Sequence, residues 1–134
     1  MVLGAVLYFV SCVVSYDLWF YAVHRLLHTP LLYARYHSQH HEHRRPTYRE
    51  AFVASTVENC VSGLGILAPL ISCPLLPVPV FAAACVYCFV RGVLRHDARA
   101  SWLVGAHHLE HHLNPRGNFS SYYVDVLFGT VALR

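Results

Sequence analysis

The chain has 134 residues, of which 56% are hydrophobic and 13% charged, and its formal net charge is +3. The length suits one domain, but the apolar share is higher than in typical soluble proteins. The basic residues carry no nucleic-acid recognition motif outside the apolar runs, and the five cysteines all lie in or between those runs, which argues against a nucleic-acid-binding protein and a disulfide framework.

Three apolar runs predict an all-α integral membrane bundle of about three spans. Residues 2–23 carry one charge, Asp17; residues 51–70 carry only Glu58; residues 75–90 carry none. Crossing the hydrocarbon core takes roughly 20 apolar residues, so the first two runs suffice and the third is slightly short. The first run lacks a basic leader and leads straight into a histidine cluster, so we interpret it as a retained anchor rather than a signal peptide.

Turn signals and arginines indicate the topology. Ser72, Cys73 and Pro74 predict a tight turn between the second and third runs. Five arginines lie between residues 25 and 49 and five between residues 91 and 134. Because cytoplasmic loops are enriched in positive charge, residues 24–50 and 95–134 are predicted to face the cytosol. All the histidine clusters lie there, so we expect a cytosolic histidine-rich cap.

Three histidine clusters carry the functional signal. Their members are His24 and His28, then His37, His40 and His41, then His108, His111 and His112. Spacings of three and four residues place side chains on one face of a helix. Imidazole is the commonest protein ligand for transition metals, and eight imidazoles are too many for one ion. Adjacent histidines point about 100° apart on a helix, so each adjacent pair is predicted to serve two different ions.

Further polar residues are candidates around this two-metal site. His96, at the cytosolic end of the third run, is a ninth candidate ligand, whereas His43 is expected to be a solvated neighbour. Asp17 is expected either to accept an N–H from a ligating imidazole or to pair with an arginine such as Arg25. The candidates for such supporting contacts are Asp17, Tyr21, Glu58 and His107.

Two competing metal functions fit the sequence less well. Residues 107–111 satisfy the HxxEH pattern of zinc peptidases, in which two histidines bind one zinc and a glutamate is the general base. That interpretation leaves the first two histidine clusters without a role. A zinc transporter would need ligands near the membrane midplane, not at the cytosolic ends of the spans. Asn118 begins a glycosylation sequon, which we predict to be unmodified because the topology places it in the cytosol.

Together these residues resemble the fatty acid hydroxylase/sterol desaturase superfamily of histidine-box membrane oxidases. Residues 17–28 resemble the first box, with its preceding aspartate and tyrosine. Residues 37–41, with Glu58 downstream, resemble the second box, and residues 108–112 resemble the third. Residues 118–130 resemble the signature that closes the catalytic domain. The match covers nearly the whole chain, so we expect a single domain over residues 1–134.

The resemblance implies the chemistry. It implies two iron ions, with zinc as the alternative metal, and O₂-dependent hydroxylation or desaturation of a sterol or fatty acyl C–H position. It also implies an external electron donor such as cytochrome b5 and, in a eukaryotic cell, location in the endoplasmic reticulum. The implied metal ligands are His24, His28, His37, His40, His41, His96, His108, His111 and His112.

Two departures from the family pattern qualify this expectation. The chain begins almost at the first-box helix, whereas family members usually carry further membrane helices before it. Several relatives also have a second histidine shortly after the position of His96, where this chain has Arg99 and Ala100. We therefore expect one metal to be held more weakly or lost. A shortened, non-catalytic member that binds metal or lipid without turnover is the alternative function.

Overall fold

The computed structural model describes residues 2–72 and 78–132. Over these two stretches the regular elements are helices and no β-strand occurs, which confirms the all-α expectation for the described residues. The predicted turn at Cys73 and Pro74 lies outside them.

The first apolar run forms one long helix that leads into the second histidine cluster. Helix α1 spans Val2–Leu27. The residue before a proline is biased to extended backbone, and Thr29 accordingly has φ −68° and ψ 145°. Pro30 then begins α2 (Pro30–Leu32), which continues as a π-helical turn over Tyr33–His37 and a 3₁₀ turn over His40–Glu42. The π-helical and 3₁₀ turns bring the histidines of residues 37–41 back over the end of α1.

The second apolar run is a broken helical path rather than one continuous helix. Helix α3 (Thr56–Ser62) begins at Ser55, whose hydroxyl accepts the backbone N–H of Glu58 at 3.1 Å. This is the N-cap interaction that a Ser followed three residues later by Glu favours. A 3₁₀ turn over Leu64–Leu67 and helix α4 (Ala68–Ser72) follow.

The third run and the C-terminal part form four helices. Helix α5 spans Val78–Leu94, and α6 (Ser101–Val104) follows after a bend of 116°. Gly105, with φ 80°, separates α6 from α7 (His107–Leu113), which carries the third histidine cluster. Helix α8 spans Tyr122–Leu127.

Helix α1 is the central element of the packing. It contacts α3, α4 and α5, and most closely the 3₁₀ turn after Gly63. Tyr8 and Cys12 form a small core with Ala84 of α5. Gly65 lies directly against Trp19, where a Cβ would overlap the Trp19 side chain, so the close approach of these elements requires glycine.

By length and composition α1 is able to cross a membrane, and α5 with residues 98–104 is a second such segment if the bent pair is one span. The helical stretch Thr56–Ile71 is shorter. Large apolar side chains on the outer faces of these helices are exposed, as Val78 and Val86 are on α5. Exposed apolar surface of this extent is typical of a surface that another apolar phase covers. Three spans and a cytosolic cap remain predictions.

Candidate metal centre

Five imidazoles from α1, the π-helical and 3₁₀ turns and α7 converge in one group, which we call the five-histidine cluster. Its members are His24, His28, His37, His41 and His111, and one ring nitrogen of each lies within 4.8 Å of every other. The Nε2 atom of His28 lies 3.0 Å from Nε2 of His37 and 3.0 Å from Nε2 of His111. His24, His37 and His111 are buried, and the other two are half-buried.

The other four candidate ligands form a second, adjacent group, the four-histidine cluster: His40, His96, His108 and His112. The Nε2 atom of His96 lies 3.2 Å from that of His40 and 3.0 Å from that of His108. The two clusters abut, since the ring centroids of His41 and His112 are 4.7 Å apart. The structure thus brings together all nine histidines that the sequence singled out.

The hydrogen bonds on the far side of the rings fix the tautomers of the five-histidine cluster. His24 donates from Nδ1 to the carbonyl of Phe119 at 2.5 Å, and His111 donates from Nδ1 to the carbonyl of Gly117 at 2.7 Å. A carbonyl only accepts, so the proton is on Nδ1 and Nε2 presents a bare lone pair. The Nδ1 of His37 lies 2.8 Å from Oε1 of Glu58, which orients the His37 ring.

Converging lone pairs of this kind fit a cation between them. Nitrogens that bind one ion at about 2.0–2.1 Å, with angles of about 90–109° between them, lie roughly 2.9–3.4 Å apart. The observed Nε2 separations of 3.0–3.3 Å in the five-histidine cluster fall in that interval. Both ring nitrogens of His112 are buried without a hydrogen-bond partner, and a buried orphaned nitrogen is costly unless a ligand satisfies it. The donor set suits a first-row transition metal.

Burial keeps these imidazoles neutral. It lowers the pKa of His28 and of His41 to about 4, with neighbouring imidazoles contributing to the decrease. Burial, together with His96 and His41, lowers the pKa of His40 to about 3. At pH 7 these rings therefore have free lone pairs, which is the form that binds metal.

The two polar residues of α1 that precede the first cluster contact other groups than the imidazoles. Asp17 pairs with an arginine, which was one of the two expectations, but the arginine is Arg91 rather than Arg25. Its buried carboxylate accepts from Arg91 of α5, with Nη1 to Oδ2 at 3.0 Å, and Arg25 instead donates to the hydroxyl of Tyr21 at 2.9 Å. The Tyr21 ring stacks on Phe128 with centroids 4.6 Å apart. Asp17 and Tyr21 therefore fasten helices together around the clusters.

A sequence model of the fatty acid hydroxylase family matches residues 9–130. The chain belongs to the fatty acid hydroxylase family. This confirms the expected superfamily, and the match includes all nine histidines of the two clusters.

Three curated relatives of this family member are methylsterol monooxygenases by name. Methylsterol monooxygenase 1 of Rattus norvegicus is 29% identical over 90% of this chain and 45% of its own length. A putative methylsterol monooxygenase of Dictyostelium discoideum is 32% identical over 89% of this chain and 48% of its own. One from Aspergillus fumigatus is 31% identical over 87% and 44%. The chain thus spans about half the length of these relatives. No solved structure matches it.

The HxxEH pattern does not form a peptidase site in this hydroxylase-family fold. His107 lies 3.0 Å from Oδ2 of Asp125, outside both clusters, whereas His111 is part of the five-histidine cluster. A zinc peptidase needs both histidines on one ion. His107 accordingly contacts a carboxylate rather than a cluster imidazole. His43 is exposed, as the sequence predicted for a solvated neighbour.

Arg99 and Ala100 occupy the position where the family resemblance implies another histidine. The Arg99 side chain is 73% exposed and pairs with Asp97 at 2.6 Å. Among the described residues, the four-histidine cluster therefore has one imidazole fewer than the five-histidine cluster.

An apolar cavity of about 270 Å³ borders the four-histidine cluster. Its walls come from α1, α3 and α5, with Phe20, Ile66 and Phe89 among the lining side chains. The histidines that line it are His40, His96 and His108, all from the four-histidine cluster. Its volume is near the lower end of the roughly 300–1,000 Å³ common for ligand pockets.

The sequence did not indicate several groups that matter here. Arg91, which pairs with Asp17, lies 74 residues away in sequence. The carbonyls of Gly117 and Phe119 are backbone groups that any residue carries. Asp125 was noted only as part of the closing signature of the family.

Proposed function

We propose that this chain is the metal-binding part of an O₂-dependent membrane lipid oxidase that hydroxylates or desaturates a sterol or fatty acyl C–H position. The observation that carries the proposal is the convergence of nine mostly buried histidines, three of which line an apolar cavity. Family membership and the monooxygenase names of the relatives support the same chemistry.

The nine histidines would hold two iron ions, one in each cluster. Bound iron would supply the redox chemistry that activates O₂ toward an unreactive C–H bond. The Phe119 and Gly117 carbonyls hold the rings of His24 and His111 in the ligating tautomer, and Glu58 orients the ring of His37. The apolar walls of the cavity hold the lipid and exclude water, which protects reactive species from side reactions.

Hydroxylation requires a reductant. One O₂, two electrons and two protons convert a C–H bond into C–OH and one water. We propose an external one-electron carrier of the cytochrome b5 type as the donor. We further propose that the chain is embedded in the endoplasmic reticulum membrane of a eukaryotic cell, with both clusters facing the cytosol. Five arginines between residues 25 and 49 support that orientation.

The two clusters have unequal numbers of imidazoles, and this difference separates two functions: a two-metal oxidase and a non-catalytic protein that binds one metal. Because the four-histidine cluster lacks a fifth imidazole among the described residues and borders the cavity, we assign it the more accessible metal. If that metal is not retained, the chain is a non-catalytic family member that binds one metal without turnover.

The test is metal content by elemental mass spectrometry on the detergent-purified, iron-reconstituted protein. We expect about two irons per chain in the wild type, about one in His96→Ala and about one in His28→Ala. His43→Ala, which changes an exposed histidine outside both clusters, is the matched control and should retain two.

The same samples are then supplied with an electron donor and sterol or acyl lipids, and oxidised product is measured. Product from the wild type but from neither single-site variant supports the two-iron oxidase. One iron and no product supports the non-catalytic alternative, and no bound metal rules out both.

A further inference from the structure

The segment after α7 runs alongside the five-histidine cluster and supplies two of its hydrogen-bond acceptors. The carbonyl of Phe119 accepts from His24, and the carbonyl of Gly117 accepts from His111. The other cluster has acceptors from elsewhere, since His96 donates to the Gly92 carbonyl at 2.8 Å within its own helical stretch. The C-terminal segment therefore serves one cluster selectively.

One carboxylate fixes the backbone of that segment. Asp125 is fully buried in α8. Its Oδ1 accepts the N–H of Phe119 at 2.9 Å, and its Oδ2 accepts the N–H of Ser120 at 2.8 Å. The hydroxyl of Thr130 donates to Oδ1 at 2.7 Å, and His107 donates to Oδ2 at 3.0 Å. Burial raises the pKa of Asp125, but these four hydrogen bonds outweigh it and lower the pKa below its usual value.

The chain beyond α8 encloses the segment from its other side. The N–H of Asn118 donates to the carbonyl of Thr130 at 2.9 Å, and Oδ1 of Asn118 accepts the N–H of Ala132 at 2.9 Å. Asn118 is held at φ 61°, a left-handed conformation rare for residues other than glycine. A Cβ on Gly117 would overlap the Thr130 carbonyl, so the two chain segments pack too closely to leave space for a side chain at Gly117.

We propose that Asp125 is a positioning residue for one of the two metals. It clamps residues 117–120 so that the carbonyls of Gly117 and Phe119 keep His111 and His24 in the Nδ1–H tautomer. Both histidines belong to the five-histidine cluster, so the clamp acts on that site and leaves the four-histidine site unaffected. The inference rests on the proposed metal centre and adds a residue that touches no imidazole of either cluster.

The substitution that tests it is Asp125→Asn, which keeps the size but gives one of the two acceptor positions an NH₂ group. That group faces a backbone N–H, so at least one anchor of the segment is lost. The control is Phe128→Ala, which removes the ring stacked on Tyr21 and loosens α8 without changing a hydrogen bond to Asp125. A merely structural role for Asp125 predicts the same outcome for both variants.

The measurement is Co²⁺ titration of the metal-free, detergent-purified chain, followed by visible absorption. We expect two equivalents in the wild type. In Asp125→Asn, we expect one equivalent to bind about 10- to 100-fold more weakly, as for lost partners of ligating histidines. The Asp125→Asn/His96→Ala variant should retain only the weakened class, whereas Asp125→Asn/His28→Ala should retain only the normal one. Weakening of both equivalents, or an equal effect of Phe128→Ala, would overturn the proposal.

A metal-independent measurement separates this proposal from the proposed function. Imidazole ¹⁵N chemical shifts in the metal-free protein report which ring nitrogen carries the proton. We expect Nδ1–H for His24 and His111 in the wild type and in Phe128→Ala, and mixed tautomers in Asp125→Asn. If the wild type binds no Co²⁺, the proposed function fails while this readout still decides the role of Asp125. Unchanged tautomers in Asp125→Asn would refute it.

Discussion

The buried ion pair between Asp17 and Arg91 is expected to be the largest single electrostatic contribution to the packing of α1 on α5. The Asp17 side chain is fully buried and that of Arg91 is 12% exposed. The carboxylate also accepts from the hydroxyls of Ser121 at 2.7 Å and Tyr123 at 2.9 Å. One carboxylate thus joins α1, α5 and the start of α8.

Asp17→Asn removes the charge and leaves the Arg91 guanidinium buried without its counter-ion. Breaking one partner of a buried pair costs about 3–5 kcal/mol. The total stability of a domain is typically only about 5–15 kcal/mol. At roughly 3–5 °C per kcal/mol for a chain of this size, the melting temperature should fall by about 9–25 °C.

The assay is thermal unfolding in detergent, followed by the fluorescence of the two tryptophans, Trp19 and Trp102. The Asp17→Asn/Arg91→Gln variant should recover part of the loss, because it leaves no unpaired charge. Arg25→Gln is the matched control, since Arg25 is exposed and should change stability by less than about 1 kcal/mol.

Two results would refute this reasoning. If Asp17→Asn or Arg91→Gln melts within a few degrees of the wild type, the pair does not hold α1 on α5. If Asp17→Asn loses bound metal at temperatures where it remains folded, and Arg91→Gln does not, Asp17 acts on the imidazoles instead.

Two further predictions concern glycines that line packed or open space. Gly65→Ala should lower the melting temperature sharply, because its Cβ would overlap Trp19. Gly63→Ala should have little effect, because the nearest atom to its Cβ would be the Cys60 carbonyl oxygen at 4.0 Å, an ordinary contact distance. Thermal unfolding compares the two variants. Gly92 lines the cavity, and a Cβ there would meet no atom within 4 Å. Gly92→Leu should therefore lower lipid binding and product formation while metal content stays at the wild-type value. Gly92→Ala is the size control, and a loss of metal in Gly92→Leu would contradict the prediction.

The histidine positions were predictable from sequence because their spacing is a local property. Residues three or four apart share a helix face, and adjacent residues diverge. His40 and His41 accordingly fall in different clusters, as do His111 and His112. The same local logic did not separate His107 from His108, because only the fold places Asp125 beside His107.

The partners of the polar side chains were not predictable, since they depend on contacts between distant segments. Asp17 shares a helix face with Tyr21 and His24, and sequence alone favours partners on that face or nearby. In the fold, that part of α1 is flanked by α5 and by the residues before α8, which supply Arg91 and Ser121. The break in the second apolar run near Gly63 was missed because hydropathy does not distinguish a continuous helix from a series of short ones.

The supporting contacts divide unequally between the two clusters, and this bears on how the proposed centre would work. Three rings of the five-histidine cluster have contacts of 2.5–2.8 Å on their far side, to the carbonyls of Phe119 and Gly117 and to Glu58. In the four-histidine cluster, His96 donates to the Gly92 carbonyl at 2.8 Å, but the His40 contact to a carbonyl is longer, at 3.3 Å, and neither ring nitrogen of His112 has a partner. Ligands held on both sides lose little freedom when metal binds, so the five-histidine site should be the tighter one. The looser site is the one that borders the apolar cavity, where a lipid and O₂ would need an open coordination position.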